Sequence, residues 1–394
     1  MNHVQKPLEG IKVVELATYV AAPTCCKLLA DLGAEVIKVE PPAGDAWRYN
    51  HAAPGDDNPR FDICNSGKKG IVLNLKQESA MCAMMRVLED ADVFVTNVRP
   101  ASLERLQLDH KTIRAKFPRM IYASLTGYGE KGPDVNLPGF DTAAYWARSG
   151  FSRDMSISTG NNYPVDTPVG AGDTVTGAVL YSSILAALLS RERTGMGDYV
   201  TAALYNVGIW VVSGSIAVAQ TPTASFPRTR DKCLPEATAY KCKCGDWIQL
   251  CVLEPGRYSQ ALFEELGHPG ILDDPRFSTP EARYRNNREL VELAEEAFAE
   301  KTVDEWLDIM KSRDIVCCRV AHFVDIPKCE QAWANDFVEK VSYPSGKEVV
   351  VPVSPVRMDS IGVNRLAHAP KLGEDTAEVL GRLGYSEGEI ALMG

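Results

Sequence analysis

IKVVELATYVAAPTCCKLLADLGAEVIKVE, residues 11–40, carries two different hydrophobic periods in thirty positions. Ile11–Leu16 and Glu35–Glu40 are short runs rich in β-branched residues and read as strands. APTCCKLLADLGA between them reads as a helix closed by Gly33. A strand, a helix and a second strand form a β-α-β unit, whose right-handed crossover makes the two strands parallel neighbours under a helical layer. The pattern repeats. Gly70–Leu75 and Asp92–Asn97 flank a helix near Gln77–Glu89, and Arg119–Gly127 is a further strand. The first half is therefore expected to be doubly wound α/β, a Rossmann-like sheet with helices on both faces.

Downstream, a long helix is expected from Asp173 to about Arg193, stopped by Thr194-Gly195-Met196-Gly197. Tyr199–Ala203 reads as a strand and Leu204–Ala219 as one apolar helix. Thr221–Thr238 is rich in Pro, Thr and charge and reads as a linker. Beyond it, TAYKCK and DWIQLCVLE make a hairpin turning at Cys244-Gly245, followed by helices at Tyr258–Leu266, Arg288–Glu300 and Val303–Arg313. Phe337–Tyr343 and Lys347–Val353 form a second hairpin, and helices at Asp375–Leu383 and Ser386–Met393 close the chain. The expected division is a large α/β domain of residues 1–220 plus 328–394, and a small α+β domain of 221–327.

The chain has 394 residues, 45% hydrophobic and 24% charged, with a formal charge of −10. Such a balance argues against a nucleic-acid surface; an anionic ligand must be met by local cations. The N-terminus lacks a signal-peptide pattern, and the richest apolar stretch, near Gly177–Leu189, is broken by Tyr181, Ser182 and Ser183. A soluble, cytoplasmic protein without membrane partners is the expectation. The 11 cysteines are scattered and odd in number, which favours reduced thiols over a disulfide framework. Cys242 and Cys244 lack the second pair or histidines that a zinc site uses, so no metal is expected.

Gly127-Tyr-Gly129-Glu-Lys-Gly132 fits the dinucleotide pattern G-x-G-x-x-G after a strand. That fingerprint requires its last glycine to open a helix facing the pyrophosphate. Here Pro133-Asp134-Val135-Asn136-Leu137-Pro138 comes next, which is loop, so a nicotinamide or flavin site is not expected. G-x-S-x-G, Walker and H-E-x-x-H patterns are absent from the sequence.

Several longer stretches carry a resemblance instead. LEGIKVVELATYVAAPTCCKLLADLGAEVIKVEPPAGDAWR, NSGKKGIVLNLK, DVFVTNVRPASLERL, ASLTGYGEKGP, PGFDTAAYWARSG, GAGDTVTGAVLYSSILAALLSRERTGMGDYV and APKLGEDTAEVLGRLGYSEGEI succeed one another in order. Together they resemble the class III CoA-transferases over essentially the whole chain. AYKCKCGDWIQLCVLE, CEQAWANDF and SYPSGKE most resemble the subgroup acting on 2-hydroxy acids, the phenyllactate/cinnamoyl-CoA and 2-hydroxyisocaproate enzymes.

The resemblance implies CoA transfer between an acyl-CoA and a carboxylic acid, with CoA thioesters as substrates and no tightly bound cofactor. It implies Asp173 as nucleophile, through an aspartyl anhydride and an aspartyl-CoA thioester. An interlocked homodimer is implied as well. CoA contacts carry over to Leu73 and Lys76, to Asn97 and Val98, and to Arg105, with Arg99 and Arg48 as weaker candidates. Pro41 stands where some members have an Arg, and the glycine-rich cover loop of formyl-CoA transferases is missing at Lys232–Glu236; residues 153–168 are expected to shape the acceptor pocket.

Read from the residues alone, Asp173 at a helix start reads first as a cap. A nucleophile must keep an oxygen free, whereas a cap uses it. The helix N-terminus is expected to keep the carboxylate charged and to offer N–H groups to an oxyanion. Related acyl-CoA racemases carry a His base before the Asp at position 141; here Phe140 stands, which cannot carry a proton.

Overall fold

The computed structural model describes residues 5–53, 56–160, 163–221 and 229–394. In chain order the elements are β1 (Lys12–Leu16), α1 (Ala21–Asp31), β2 (Glu35–Glu40), α2 (Pro59–Asn65), β3 (Lys69–Val72), α3 (Glu78–Glu89), β4 (Val93–Thr96), α4 (Pro100–Arg105), α5 (His110–Lys116), β5 (Ile121–Thr126), α6 (Phe151–Ser158), α7 (Ala171–Thr194), β6 (Tyr199–Ala203) and α8 (Leu204–Val211). After these come α9 (Ser213–Ala219), β7 (Ala239–Lys241), β8 (Trp247–Leu250), α10 (Pro255–Glu265), α11 (Pro280–Phe298), α12 (Val303–Ser312) and β9 (Cys317–Arg319). The chain closes with α13 (Glu330–Ala334), β10 (Val338–Ser342), β11 (Glu348–Pro352), α14 (Thr376–Arg382) and α15 (Glu387–Ala391). Two compact units result, one of Met1–Phe151, Asp166–Val212 and Cys329–Gly394, the other of Ser152–Val165 and Ser213–Lys328.

The first unit holds a six-stranded sheet in the order β3-β2-β1-β4-β5-β6, parallel throughout. This is the doubly wound α/β fold expected from residues 11–40. Strand side chains alternate between two cores. Val13, Val36, Val93, Val95 and Ile121 pack with α1, α7 and α8, while Val14, Phe94 and Tyr122 pack with α3 and α14. Both faces are covered, so the strands read as continuous apolar runs. Each fully buried Val, Leu or Phe contributes roughly 1.5–3 kcal/mol relative to exposure.

Charged residues interrupt those runs, and they pair. Glu15, on β1, accepts from Lys38 (2.9 Å) and Lys68 (2.7 Å), all with fully buried side chains. Lys38 also meets Asp45 at 3.0 Å and donates to the Ala17 carbonyl; Lys68 donates to the Pro23 carbonyl. Burial alone would raise the Glu15 carboxyl, but the two ammonium groups outweigh it and hold it below its usual range. The network ties the loop between β1 and α1 to the sheet.

The second unit is a smaller α+β body. β7, β8 and β9 form an antiparallel sheet against α10, α11 and α12, with Tyr240, Ile248, Phe298 and Trp306 in its core. The linker reading of 221–238 falls partly on residues 222–228, outside those described. Arg230–Lys232 and Pro235–Ala237 are single 3₁₀ turns.

The reading of Leu204–Ala219 as one helix is corrected. α8 and α9 are separated at Val212, whose φ of −102° and ψ of 19° break the helical path. Gly208 and Gly214 flank the break, and consecutive Val211-Val212 add poor helix formers. Within the first unit, α7 is long and apolar enough to cross a membrane, yet Leu180, Ile184 and Leu188 pack into the core beside α1, as in a soluble core helix.

Candidate active site

In a parallel sheet, a crossover helix begins at the carboxyl edge of the strands, and ligands settle where strand order reverses. Here the reversal lies between β1 and β4. The loops leaving these two strands are clipped together by Asn97. Its side-chain amide accepts from the Thr18 N–H at 3.1 Å and donates to the Thr18 carbonyl at 2.8 Å.

α7 crosses from β5 to β6, so its N-terminus stands at the same edge. Asp173 lies in its first turn, half-buried. No hydrogen bond or ion pair engages its carboxylate among the described residues. The cap comes from elsewhere. Asp141 opens a π-helical stretch, Asp141–Ala147, and is buried at 5% exposure. Its Oδ2 accepts from the Gly170 N–H at 2.9 Å, and its Oδ1 from the Asp173 N–H at 3.1 Å.

Two glycines make this fit possible. Gly170, before the helix, has φ of +85°, the left-handed region. At Gly172 a Cβ would lie 2.3 Å from Asp141 Oδ1 and 2.3 Å from the Tyr145 ring.

The expectation that the helix end keeps Asp173 charged is corrected. Burial, and then the Asp141 charge, push the Asp173 carboxyl up to about 7. The N–H groups expected to meet an oxyanion already serve Asp141. Asp173 is thus a carboxyl of raised basicity in the first turn of α7, and its oxygens cap nothing among the described residues.

Leu73 comes just after β3 and its side chain is buried in the core, so only its backbone can meet a ligand. Lys76 is exposed, and no ion pair holds its ammonium among the described residues. Val98, half-buried after β4, donates its N–H to Thr96 Oγ1 at 3.1 Å. Arg105, exposed on α4, bonds Ser102 Oγ and the Ala101 carbonyl and has no acidic partner among the described residues. Arg99 precedes α4 and is exposed. Leu73 and Lys76 follow β3, and Asn97 and Val98 follow β4, but Asn97 uses its side chain internally. Arg48 is likewise engaged, by Glu40 at 2.6 Å and by the Pro370 carbonyl at 2.9 Å.

Phe140 is exposed, its ring edge-on to Tyr19 at 5.2 Å between centroids. Tyr19, not singled out from sequence, has φ of +66° and is held by its N–H to Asp45 Oδ1 at 3.1 Å. Positive φ in a tyrosine is uncommon and concentrates at functional loops; sequence carries no signal for it. A cleft of about 1100 Å³ also opens in the first unit, lined by Arg48, Asp56, Asp57, Asp62, Tyr343 and His368 among others. It contains neither Asp173 nor Lys76, Asn97 or Arg105.

In the second unit, Glu236 is buried and accepts from Ser259 Oγ at 2.7 Å, so the end of Lys232–Glu236 is packed. Of residues 153–168, 161 and 162 lie outside the described residues.

A family model described as CoA-transferase family III matches residues 8–376. The chain is 38% identical over 389 residues to a (R)-2-hydroxy-4-methylpentanoate CoA-transferase of Clostridioides difficile, covering 97% of each chain. It is 35% identical to a cinnamoyl-CoA:phenyllactate CoA-transferase of Clostridium sporogenes, over 99% of this chain and 96% of the relative. Among solved structures, Rv3272 of Mycobacterium tuberculosis superposes with a TM-score of 0.82 at 30% identity, covering 95% of this chain and 99% of that one.

Proposed function

The chain belongs to CoA-transferase family III, and from that premise we propose that it moves CoA from an aryl or branched enoyl-CoA to a 2-hydroxy acid, with Asp173 as nucleophile. The two 2-hydroxy-acid relatives support the substrate class. One observation carries the assignment of the nucleophile: the Asp173 carboxylate is unpartnered while Asp141 occupies the cap.

An Asp173 oxygen attacks the thioester carbonyl carbon, the C–S bond breaks, and CoA leaves as thiolate with an acyl-aspartyl anhydride behind it. The thiolate attacks the Asp173 carbonyl, giving an aspartyl-CoA thioester and releasing the donor acid as carboxylate. The acceptor carboxylate then attacks that thioester, forming a second anhydride and freeing thiolate. Attack of the thiolate on the acceptor's acyl carbon yields the new acyl-CoA and restores Asp173. No net proton and no ATP are needed, because each step exchanges acyl groups of similar energy.

For CoA, Lys76 and Arg105 supply cations to its phosphates, while Leu73, Asn97 and Val98 offer backbone carbonyls, the N–H groups of Leu73 and Val98 being bonded to the Glu40 carbonyl and to Thr96 Oγ1. Phe140 in place of a proton-carrying base weighs against α-proton exchange.

The active form in this reading is a homodimer in the cytoplasm. In the first unit Val175, Val179, Leu189, Trp210 and Val211 are exposed, and in the second Leu253, Val316, Phe323 and Val324 are. Apolar surface on this scale supports a protein partner. All 11 cysteines are unpaired, which suits a reducing compartment.

The test is covalent. Incubation with cinnamoyl-CoA, digestion and mass analysis is expected to place a CoA adduct, or a hydroxamate after hydroxylamine, on the Asp173 peptide. Asp173→Asn is expected to lose the adduct and at least about 10³-fold of the exchange rate. Full exchange by that variant refutes the assignment.

A further inference from the structure

We propose that Asp141 is the positioning residue of the transfer reaction: by capping α7 from 32 residues upstream, it leaves both oxygens of Asp173 free for the thioester. This rests on the reading of Asp173 as nucleophile.

α7 has no cap of its own. A helix N-terminus has unsatisfied N–H groups, and a local Asp, Ser or Thr normally takes them. The residue in the cap position is Gly170, which has no side chain, and no local side chain bonds the helix end. Asp173 is thus the nearest carboxylate in sequence, and without a competitor its oxygens would turn inward to those donors. Asp141 is the competitor. Its two oxygens meet two separate N–H groups, of Gly170 and of Asp173 itself. The second bond is to the nucleophile's own backbone, so the cap fixes the residue whose side chain reacts.

The surroundings are built to accept this carboxylate. The absence of a Cβ at position 172 gives room for Asp141 Oδ1 and the Tyr145 ring on one side. Thr174 and Thr176 return their hydroxyls to the Gly170 and Gly172 carbonyls at 2.8 Å each, so neither competes for the N–H groups. The Gly-Ala-Gly-Asp run therefore acts as a receptor for Asp141.

The charge of Asp141 has a second effect. The groups that face this end of α7 are Asp141 and Tyr145 from the π-helical stretch, Cys64 from α2, and Cys25 from α1 beside Gly177. Lys68 and Lys38 lie behind Cys64 and are paired to Glu15. Burial pushes both carboxyls up, and the Asp141 charge adds to the rise at Asp173. A more basic carboxylate is a better nucleophile above its pKa.

Asp141→Asn tests this, since amide for carboxylate keeps the shape, removes the charge and sets an NH₂ against an N–H. The expected result is a fall in kcat of about 10–100-fold, as for a lost charge-assisted hydrogen bond, with KM for cinnamoyl-CoA little changed. The acidic limb of kcat/KM is expected to move to lower pH, because removal of a like charge makes Asp173 easier to ionise. A role in stability alone would not move that limb. Parental kcat together with a parental limb overturns the proposal. Should Asp141→Asn not fold, Asp141→Glu decides: a displaced cap that keeps its charge is expected to lower kcat at an unmoved limb, and parental kcat overturns the proposal. Failure of the underlying reading is separately visible, as the absence of any adduct on Asp173 in the parent protein.

Discussion

The Asp173 carboxyl titrates at about 7 because burial and Asp141 both disfavour its charge. Only the ionised form attacks a thioester, so kcat/KM for acyl-CoA is expected to fall about tenfold per pH unit below that value and to level above it. Stability responds in the opposite sense. The unfolded chain ionises this group near 3.9, whereas the folded chain keeps the proton until about 7. The stabilisation is present below the unfolded value and is lost as pH rises through the folded one. The Tm gain of Asp173→Asn over the parent is therefore expected to grow from about pH 4 to about pH 7 and stay constant beyond. A gain independent of pH would show an ordinary carboxyl. In the proposed CoA site, Lys76→Ala and Arg105→Ala are each expected to raise KM for acyl-CoA about 5–20-fold with kcat unchanged. The effect should shrink at high salt, because exposed charges are screened.

At the element scale, the parallel sheet is readable from β-branched runs, but the buried ion network inside it is decided by charges within those runs. Lys38 sits mid-strand in EVIKVE and Glu15 in KVVEL, where a doubly covered strand should be apolar. That anomaly is the one sequence signal for the network, and it does not name the partners. Glu15→Gln leaves Lys38 and Lys68 without their shared carboxylate. The loss is expected to be about 3–5 kcal/mol, or roughly 2–4 °C of Tm per kcal/mol, measurable by thermal or urea unfolding. A variant as stable as the parent would mean that Asp45 and backbone carbonyls suffice for both ammonium groups. β9 shows the reverse case. Three residues, Cys317–Arg319, give too short a pattern to read, and they become a strand because β8 offers them an edge.

At the scale of the whole molecule, exposed apolar side chains in both units argue for burial by a second chain. Trp210, 74% exposed on α8, is the most exposed of them in the first unit. Light scattering is expected to return twice the chain mass. Trp210→Glu is expected to shift the population toward single chains and to lower activity in parallel. An active single chain at micromolar concentration would overturn the dimer. The family assignment also belongs to this scale, because it rests on motifs in order from Leu8 to Thr376 rather than on any one of them.

The sequence by itself determined the parallel α/β sheet and the start and stop of α7. These are local matters of period and glycine stops. It also placed Asp173 at a helix start, where cap and nucleophile look alike. Only the tertiary structure showed which residue is the cap, since the donors at that helix end are met by a carboxylate 32 residues away. The same holds for Asn97 and Arg48, whose side chains are taken by Thr18, Glu40 and Pro370. Hydrogen-bond competition, burial and charge act through distances in space, and no spacing along the chain encodes which distant group arrives first.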